Sequence, residues 1–200
     1  PPLVSSSAAS DVYKRQRIRT EAESFGAKVV MTSKKCKNGT ERCAEALKNI
    51  NVNGDLIVNL QGDAPLTPEW FVEDLIETFK KDPDTQMATP VLRLDKDSLS
   101  SFRLDRNSGR VGGTTVVFDN NNNALYFSKE IIPFFDEKRS LQTEACPIFH
   151  HVGVYAYRPE ILSKYHTWKE SNLETLEGLE QLRFLENSCA IKCVLVDSRG

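Results

Sequence analysis

The segment Asp55–Leu60 (DLIVNL) constrains the fold more than any other part of this 200-residue chain. It is almost continuously apolar, too short for a buried helix, and ends abruptly in Gln61-Gly62-Asp63. A strand with one wet face alternates apolar and polar residues. A strand covered on both faces does not, and such strands dominate parallel sheets flanked by helices. The next segment supplies one such helix. Thr67 suits an N-cap, Pro68 suits the first helical position, and Phe71, Val72, Leu75, Ile76 and Phe79 form an apolar stripe.

The remaining pattern also alternates. A helix runs from Arg17 through Ile18, Ala22 and Phe25 and stops at Gly26. Lys28–Thr32 (KVVMT) reads as a strand and Thr40–Ile50 as a helix. Met87–Leu94 is a strand. Thr114–Phe118 and Ala124–Phe127 flank Asp119-Asn120-Asn121-Asn122-Asn123, whose residue types tolerate a left-handed backbone and predict a hairpin. Val152–Tyr157 is a strand, Pro159–Tyr165 a short helix, and Leu173–Asn187 one longer helix. Ile191–Val196 is a last strand. The expected fold is α/β, a Rossmann-like sandwich whose mixed sheet is mostly parallel and carries a β-hairpin insertion. Residues 1–16 lack either periodicity and are expected to be a disordered or foreign tail. Residues 17–200 are expected to be a partial domain that opens in mid-helix and stops just after a strand.

Composition excludes several classes of function. Lys and Arg number 26 against 28 Asp and Glu, without a polybasic block, which argues against a nucleic-acid partner. No apolar stretch approaches the roughly 18–20 residues of a membrane span, and the first ten residues are not a secretory signal. The five cysteines are odd in number and loosely spaced, with no CxxC. That pattern suits free thiols in a reducing cytoplasm better than a disulfide framework or a zinc site.

Four segments could carry chemistry. Asp63 stands at the carboxyl end of a strand, where open α/β sheets bind ligands, and suits a Mg²⁺ ion otherwise bound by phosphate oxygens. A loop-shaping role is the alternative. Asn38-Gly39-Thr40-Glu41-Arg42 opens a helix with free N–H groups that suit an anion or a base edge, or is an ordinary cap. Alternation places His151, Gly153 and Tyr155 on one strand face, either lining a polar pocket or lying half-exposed at an edge. On the late helix, Glu174 and Glu177 read as its wet face. Glu180 and Gln181, set between leucines, suit sugar hydroxyls. The motifs GxSxG and HExxH are absent.

NGTER, NLQGDAP, ALYFSKEIIP, HHVGVYAYRPEIL and LEGLEQLRFLE, in this order and spacing from about Arg17 to Val196, resemble the 3-deoxy-manno-octulosonate (KDO) cytidylyltransferases, or CMP-KDO synthetases. The resemblance implies the nucleotide-diphosphosugar transferase type of sandwich, usually a homodimer. It implies transfer of CMP from CTP to KDO with Mg²⁺, for lipopolysaccharide synthesis in the cytoplasm. It further implies that Asp63 is the catalytic metal ligand, that Gln61 lies beside nucleotide and sugar, and that Gly39, Thr40 and Arg42 lie near the cytidine. Lys129, His151, Tyr155, Glu180 and Gln181 would then line the sugar pocket. Lys129 stands where the family usually has Arg after YFS, which keeps the charge and loses the bidentate fork.

Three departures accompany the likeness. The family's opening ARxxSxRxPGKPL loop, which grips the triphosphate, is absent here, and on that ground little or no turnover is expected of these 200 residues. Ala64 replaces the acid of the usual QGDEP. The segment that often supplies a second metal ligand is also absent, and Asp197 comes too early to replace it. Ala64 and Lys129 keep a second acidic sugar, amino-KDO or sialic-acid-like, open as substrate. A non-catalytic nucleotide-sugar-binding module is a further alternative.

Overall fold

The computed structural model describes residues 12–50, 54–62, 64, 66–135 and 146–198, with side chains from Gln16 onward. In chain order the elements are α1 (Val12–Ser24), α2 (Gly39–Asn49), β1 (Ile57–Leu60), α3 (Glu69–Lys81), β2 (Met87–Arg93), α4 (Lys96–Asn107), β3 (Thr114–Phe118), β4 (Ala124–Ser128), β5 (Phe149–His151), β6 (Val154–Tyr157), α5 (Pro159–Tyr165), α6 (Asn172–Glu177), α7 (Leu182–Glu186) and β7 (Ile191–Leu195).

The strands form one sheet organised around β2. One edge of β2 pairs antiparallel with β6 at Met87–Ala88 and with β5 at Val91–Arg93. β7 pairs with β2 in parallel, from Met87↔Ile191 to Val91↔Leu195. β1 extends the sheet antiparallel to β6, while β3 runs antiparallel to both β5 and β4. Among the described strands only β2 and β7 are parallel, so the expected mostly parallel sheet is corrected to an antiparallel-dominated one. Burial on two faces makes DLIVNL apolar, and that requirement is blind to strand direction. The connections set direction, and the long path from β2 to β6 brings the chain back reversed.

Helices do cover both faces. Side chains alternate across a strand. Met87, Tyr155 and Tyr157 therefore enter one core with Ala44 of α2, Leu162 and Tyr165 of α5, and Leu182 and Phe184 of α7. Their neighbours Ala88, Val154 and Ala156 enter the other core with Leu75 and Phe79 of α3. Leu75 and Leu162 are fully buried, each worth about 1.5–3 kcal/mol relative to exposure. Leu94, Leu99 and Ile148 form a third cluster beneath α4.

Several boundaries differ from expectation. Lys28–Thr32 is not a strand; no strand ladder among the described residues includes it, and β propensity without a ladder does not make a strand. α1 opens at Val12 rather than Arg17 and closes before Gly26, whose φ is +81°. α3 is capped by Pro68 instead of Thr67. The late helix is two, α6 and α7, divided at Gly178 with φ +63°. α4 had no apolar signal because Leu99 is its one buried residue; Asp95 caps it by accepting from the Ser98 amide at 2.7 Å. The hairpin is as expected, with Asn122 at φ 60° and the Asp119 carboxylate accepting from the Asn121 and Asn123 amides. All five cysteines are free. Among the described residues no helix is long and apolar enough to cross a membrane.

Candidate functional site

A cleft of about 650 Å³ opens where β1, the β5–β6 junction, the start of α2 and the α6–α7 junction meet. Its walls are residues 37–39, Gln61, residues 112–114, His150, His151, Gly153, Tyr155, Glu170, Glu174 and residues 178–181.

The break after α6 forms one wall. Gly178 ends α6 in the left-handed region, so the chain leaves the helix and Glu180 and Gln181 both line the cleft. In a continuous helix adjacent side chains would splay apart. Glu180 accepts from the Thr40 amide at 2.9 Å and from Gln61 Nε2 at 2.8 Å, joining three distant segments. Burial pushes its carboxyl above the usual range, against these donated bonds. Gly39 permits the crossing, since a Cβ there would stand 3.1–3.4 Å from the Gln61 amide group. The Thr40 hydroxyl lies 2.9 Å from the Tyr157 hydroxyl. The start of α2 is held by Asn38, which accepts from the Glu41 amide at 2.8 Å.

The strand side is aromatic with polar tips. Tyr155 donates to Gln181 Oε1 at 3.2 Å, which turns the Gln181 amide nitrogen away from the tyrosine. That buried nitrogen and His151 Nε2 have no hydrogen-bond partner among the described residues. The His151 ring lies 5.5 Å from Tyr155 and 4.9 Å from Phe127. Burial, with His150 as a neighbour, pulls its pKa down to about 3, so the imidazole is neutral at working pH.

Lys129 follows β4 at the cleft's edge. Its amide donates to Glu177 at 2.9 Å, and its ammonium lies 2.7 Å from where a Cβ on Gly178 would stand. Arg42 is turned elsewhere. It donates to Thr32 Oγ1, the Ser33 carbonyl and the Cys36 carbonyl, fastening the loop before α2, and it is not a cleft wall. Asp63 lies outside the described residues.

Sequence reasoning missed a buried charge network behind the cleft. Glu174, read as part of a wet face, is buried and receives two bonds of 2.6 Å from Arg183. Arg183 also reaches Glu41 at 3.1 Å and lies 4.2 Å over the Tyr165 ring. Its place among the apolar residues of LEQLRFLE was the available signal. Lys37 and Glu170 were missed too; both line the cleft and form an ion pair across it.

No group of three or more His, Cys, Asp or Glu side chains is gathered among the described residues, so no all-protein metal cage is formed there. Magnesium does not require one, since one or two carboxylates plus phosphate oxygens and water complete its octahedron. Glu180 is occupied by Thr40 and Gln61. Asp197 is at the surface and offers its carbonyl to Trp70.

Comparison with known proteins gives a consistent result. The cytidylyltransferase family model matches residues 14–192. A 3-deoxy-manno-octulosonate cytidylyltransferase of Maricaulis maris (strain MCS10) is 42% identical over 185 residues, covering 92% of this chain and 70% of the relative. An 8-amino-3,8-dideoxy-manno-octulosonate cytidylyltransferase of Shewanella sp. (strain W3-18-1) is 38% identical over 187 residues, covering 92% and 71%. Among solved structures, a CMP:2-keto-3-deoxy-manno-octonic acid synthetase complexed with CTP matches with a TM-score of 0.73 at 30% identity, over 90% of this chain and 68% of that one. A 4-diphosphocytidyl-2C-methyl-D-erythritol synthase from Anaerococcus prevotii matches at TM-score 0.53 and 9% identity, a likeness of fold alone.

Proposed function

This chain belongs to the cytidylyltransferase family, and we propose that it transfers the cytidylyl group of CTP to the anomeric hydroxyl of 3-deoxy-manno-octulosonate. A phosphorus–oxygen bond forms to the sugar oxygen, whose proton is lost to solvent, the α–β bridge breaks, and pyrophosphate leaves with the electron pair. The observation that carries this reading is the convergence in one cleft of Gly39, Gln61, His151, Tyr155, Glu180 and Gln181, drawn from four motifs far apart in sequence.

The physical problem is charge. Two unit charges 4 Å apart repel by about 4 kcal/mol at an effective dielectric of 20, and a triphosphate must meet a sugar carboxylate. A magnesium ion held by Asp63 would neutralise phosphate charge and align the attack. The described residues serve recognition. The Gln181 amide nitrogen and His151 Nε2, both buried and without a hydrogen-bond partner among the described residues, suit sugar hydroxyls. Tyr155 holds the Gln181 amide in that orientation. Glu180 fixes Gln61 against the start of α2, and Lys129 offers the sugar carboxylate a cation. Gly39 and Thr40 border the cytidine side, and Arg42 acts there by holding the Thr32–Cys36 loop in place. The finer fold assignment, the nucleotide-diphosphosugar transferase type, a homodimeric state, a cytoplasmic location and a role in lipopolysaccharide synthesis belong to the same proposal.

The test is pyrophosphate release from CTP that depends on KDO, with CMP-KDO identified by mass, run on the product of the whole reading frame and on the 200 residues alone. Release without KDO, or none with any acidic sugar, overturns the reading. Asp63→Asn should abolish turnover, and unchanged Mg²⁺ dependence would remove the metal role. The Shewanella relative favours one second substrate, the 8-amino sugar; the two sugars compared at limiting concentration decide between them.

A further inference from the structure

The walls of the cleft contain three carboxylates, Glu170, Glu174 and Glu180, and among its described wall residues one cation, Lys37. The substrates of the proposed reaction are anions, so the placement of that cation matters. The Lys37 backbone is fixed: its amide donates to Glu41 at 2.7 Å, and the next residue, Asn38, caps α2 and also donates to Tyr165 and Glu174. Its side chain is exposed and reaches over to Glu170, on the loop before α6. Glu174 and Arg183 already neutralise each other beneath, Lys80 and Lys81 pair with Glu77 on their own helix, and Lys192 pairs with Asp82, none of them in the cleft.

We propose that Lys37 is an exchange cation: in the free protein its ammonium is parked on Glu170, and it transfers to an anionic oxygen of a substrate entering the cleft. The exchange is physically easy. An exposed ion pair contributes little, because water screens it and two long side chains are ordered to make it. A charge-assisted bond to phosphate or carboxylate within a partly enclosed cleft is stronger. The fixed backbone and free side chain let the head group move without disturbing α2. Glu170 then sets the affinity by competing with the substrate for the same ammonium. The anionic oxygen belongs either to a nucleotide phosphate or to the sugar carboxylate, and one titration for each distinguishes them. This inference rests on the anionic substrates of the proposed reaction.

The experiment compares wild type, Lys37→Gln, Glu170→Gln and the double variant. CTP with Mg²⁺ and KDO are titrated separately by calorimetry, with turnover measured in parallel. Lys37→Gln should weaken one of the two anions by about tenfold, the loss of one partly exposed charge-assisted bond. Glu170→Gln should tighten the same anion by up to about fivefold, because its competitor is gone. The double variant should behave like Lys37→Gln alone. A merely structural tie predicts something else, namely that both single variants weaken binding alike and lower the melting temperature alike. That result, or Lys37→Gln binding both anions as wild type does, overturns the inference while leaving turnover intact. Wild-type binding with the expected asymmetry but no turnover would remove the proposed reaction and keep Lys37 as an anion contact. Absence of any anion binding would remove both.

Discussion

Replacing Arg183 by Met should be among the most destabilising single changes in this protein. Arg183 is 2% exposed and Glu174 is 5% exposed, and two bonds of 2.6 Å join them. Methionine fills much of the arginine stem's volume, so cavity formation is a small part of the effect. What remains is a carboxylate with its charge uncompensated and, among the described residues, only Asn38, Tyr165 and the Ser171 amide to solvate it. Breaking a buried ion pair from one side typically costs about 3–5 kcal/mol. For a chain of this size that corresponds to a fall of about 6–20 °C in melting temperature. The exposed pair Arg19–Glu23, each side chain 48% exposed, is the control; Arg19→Ala should change stability by less than about 0.5 kcal/mol. The measurement is urea and thermal unfolding of Arg183→Met, Glu174→Leu and the double variant. The double variant should recover much of the loss, since it removes both charges together. A loss below about 1 kcal/mol for Arg183→Met, or a double variant as unstable as the sum of the singles, would refute the account of this network as a closed charge pair.

Three other outcomes follow from the geometry. His151 is held neutral in the fold, with its pKa pulled down to about 3 by burial, so its contribution to stability is fully present above the unfolded value of about 6.5 and is lost as pH falls toward 3. His151→Asn should flatten the fall of stability with acid over that window, and a parallel pH profile would count against burial as the cause. Gly39→Ala should push the Gln61 amide off Glu180, since the new Cβ meets it at 3.1 Å; turnover should drop more than tenfold while the melting temperature moves by only a few degrees, and a normal rate would refute the constraint. Gly178→Ala combines a positive φ with a Cβ 2.7 Å from the Lys129 ammonium. It should cost about 1 kcal/mol through the backbone and also raise the KM for the acidic sugar, and an unchanged KM would separate Lys129 from the carboxylate.

The elements that were legible in sequence were those whose residues report their own burial. DLIVNL, the α3 stripe and the Asn-rich hairpin carry period and turn chemistry on their face. Strand direction was not legible, because two-sided burial gives the same composition in either direction. Gly178 lay inside a regular leucine spacing, and its break showed only as one glycine that a helix tolerates at about 1 kcal/mol. For the site, His151, Tyr155, Glu180 and Gln181 line one cleft. Arg42, which the resemblance implies lies near the cytidine, spends its fork on three groups of a neighbouring loop, and no local pattern distinguishes that from a ligand contact. The Glu174–Arg183 pair was masked because a charged helical residue is usually wet; its one sequence signal was Arg183's place among apolar residues, and the partner nine positions on explains the exception.

β2 holds three partners, and the one that runs parallel to it, β7, is made late in the chain. While the ribosome is still short of Ile191, one side of a largely buried central strand has open amides and carbonyls and nothing to bond them. Such an edge is a template for any extended chain nearby. The protein should therefore be most prone to aggregate as a nascent or interrupted polypeptide, and substitutions that weaken the Ile191–Leu195 ladder should lower soluble yield more than they lower the melting temperature of molecules that do mature.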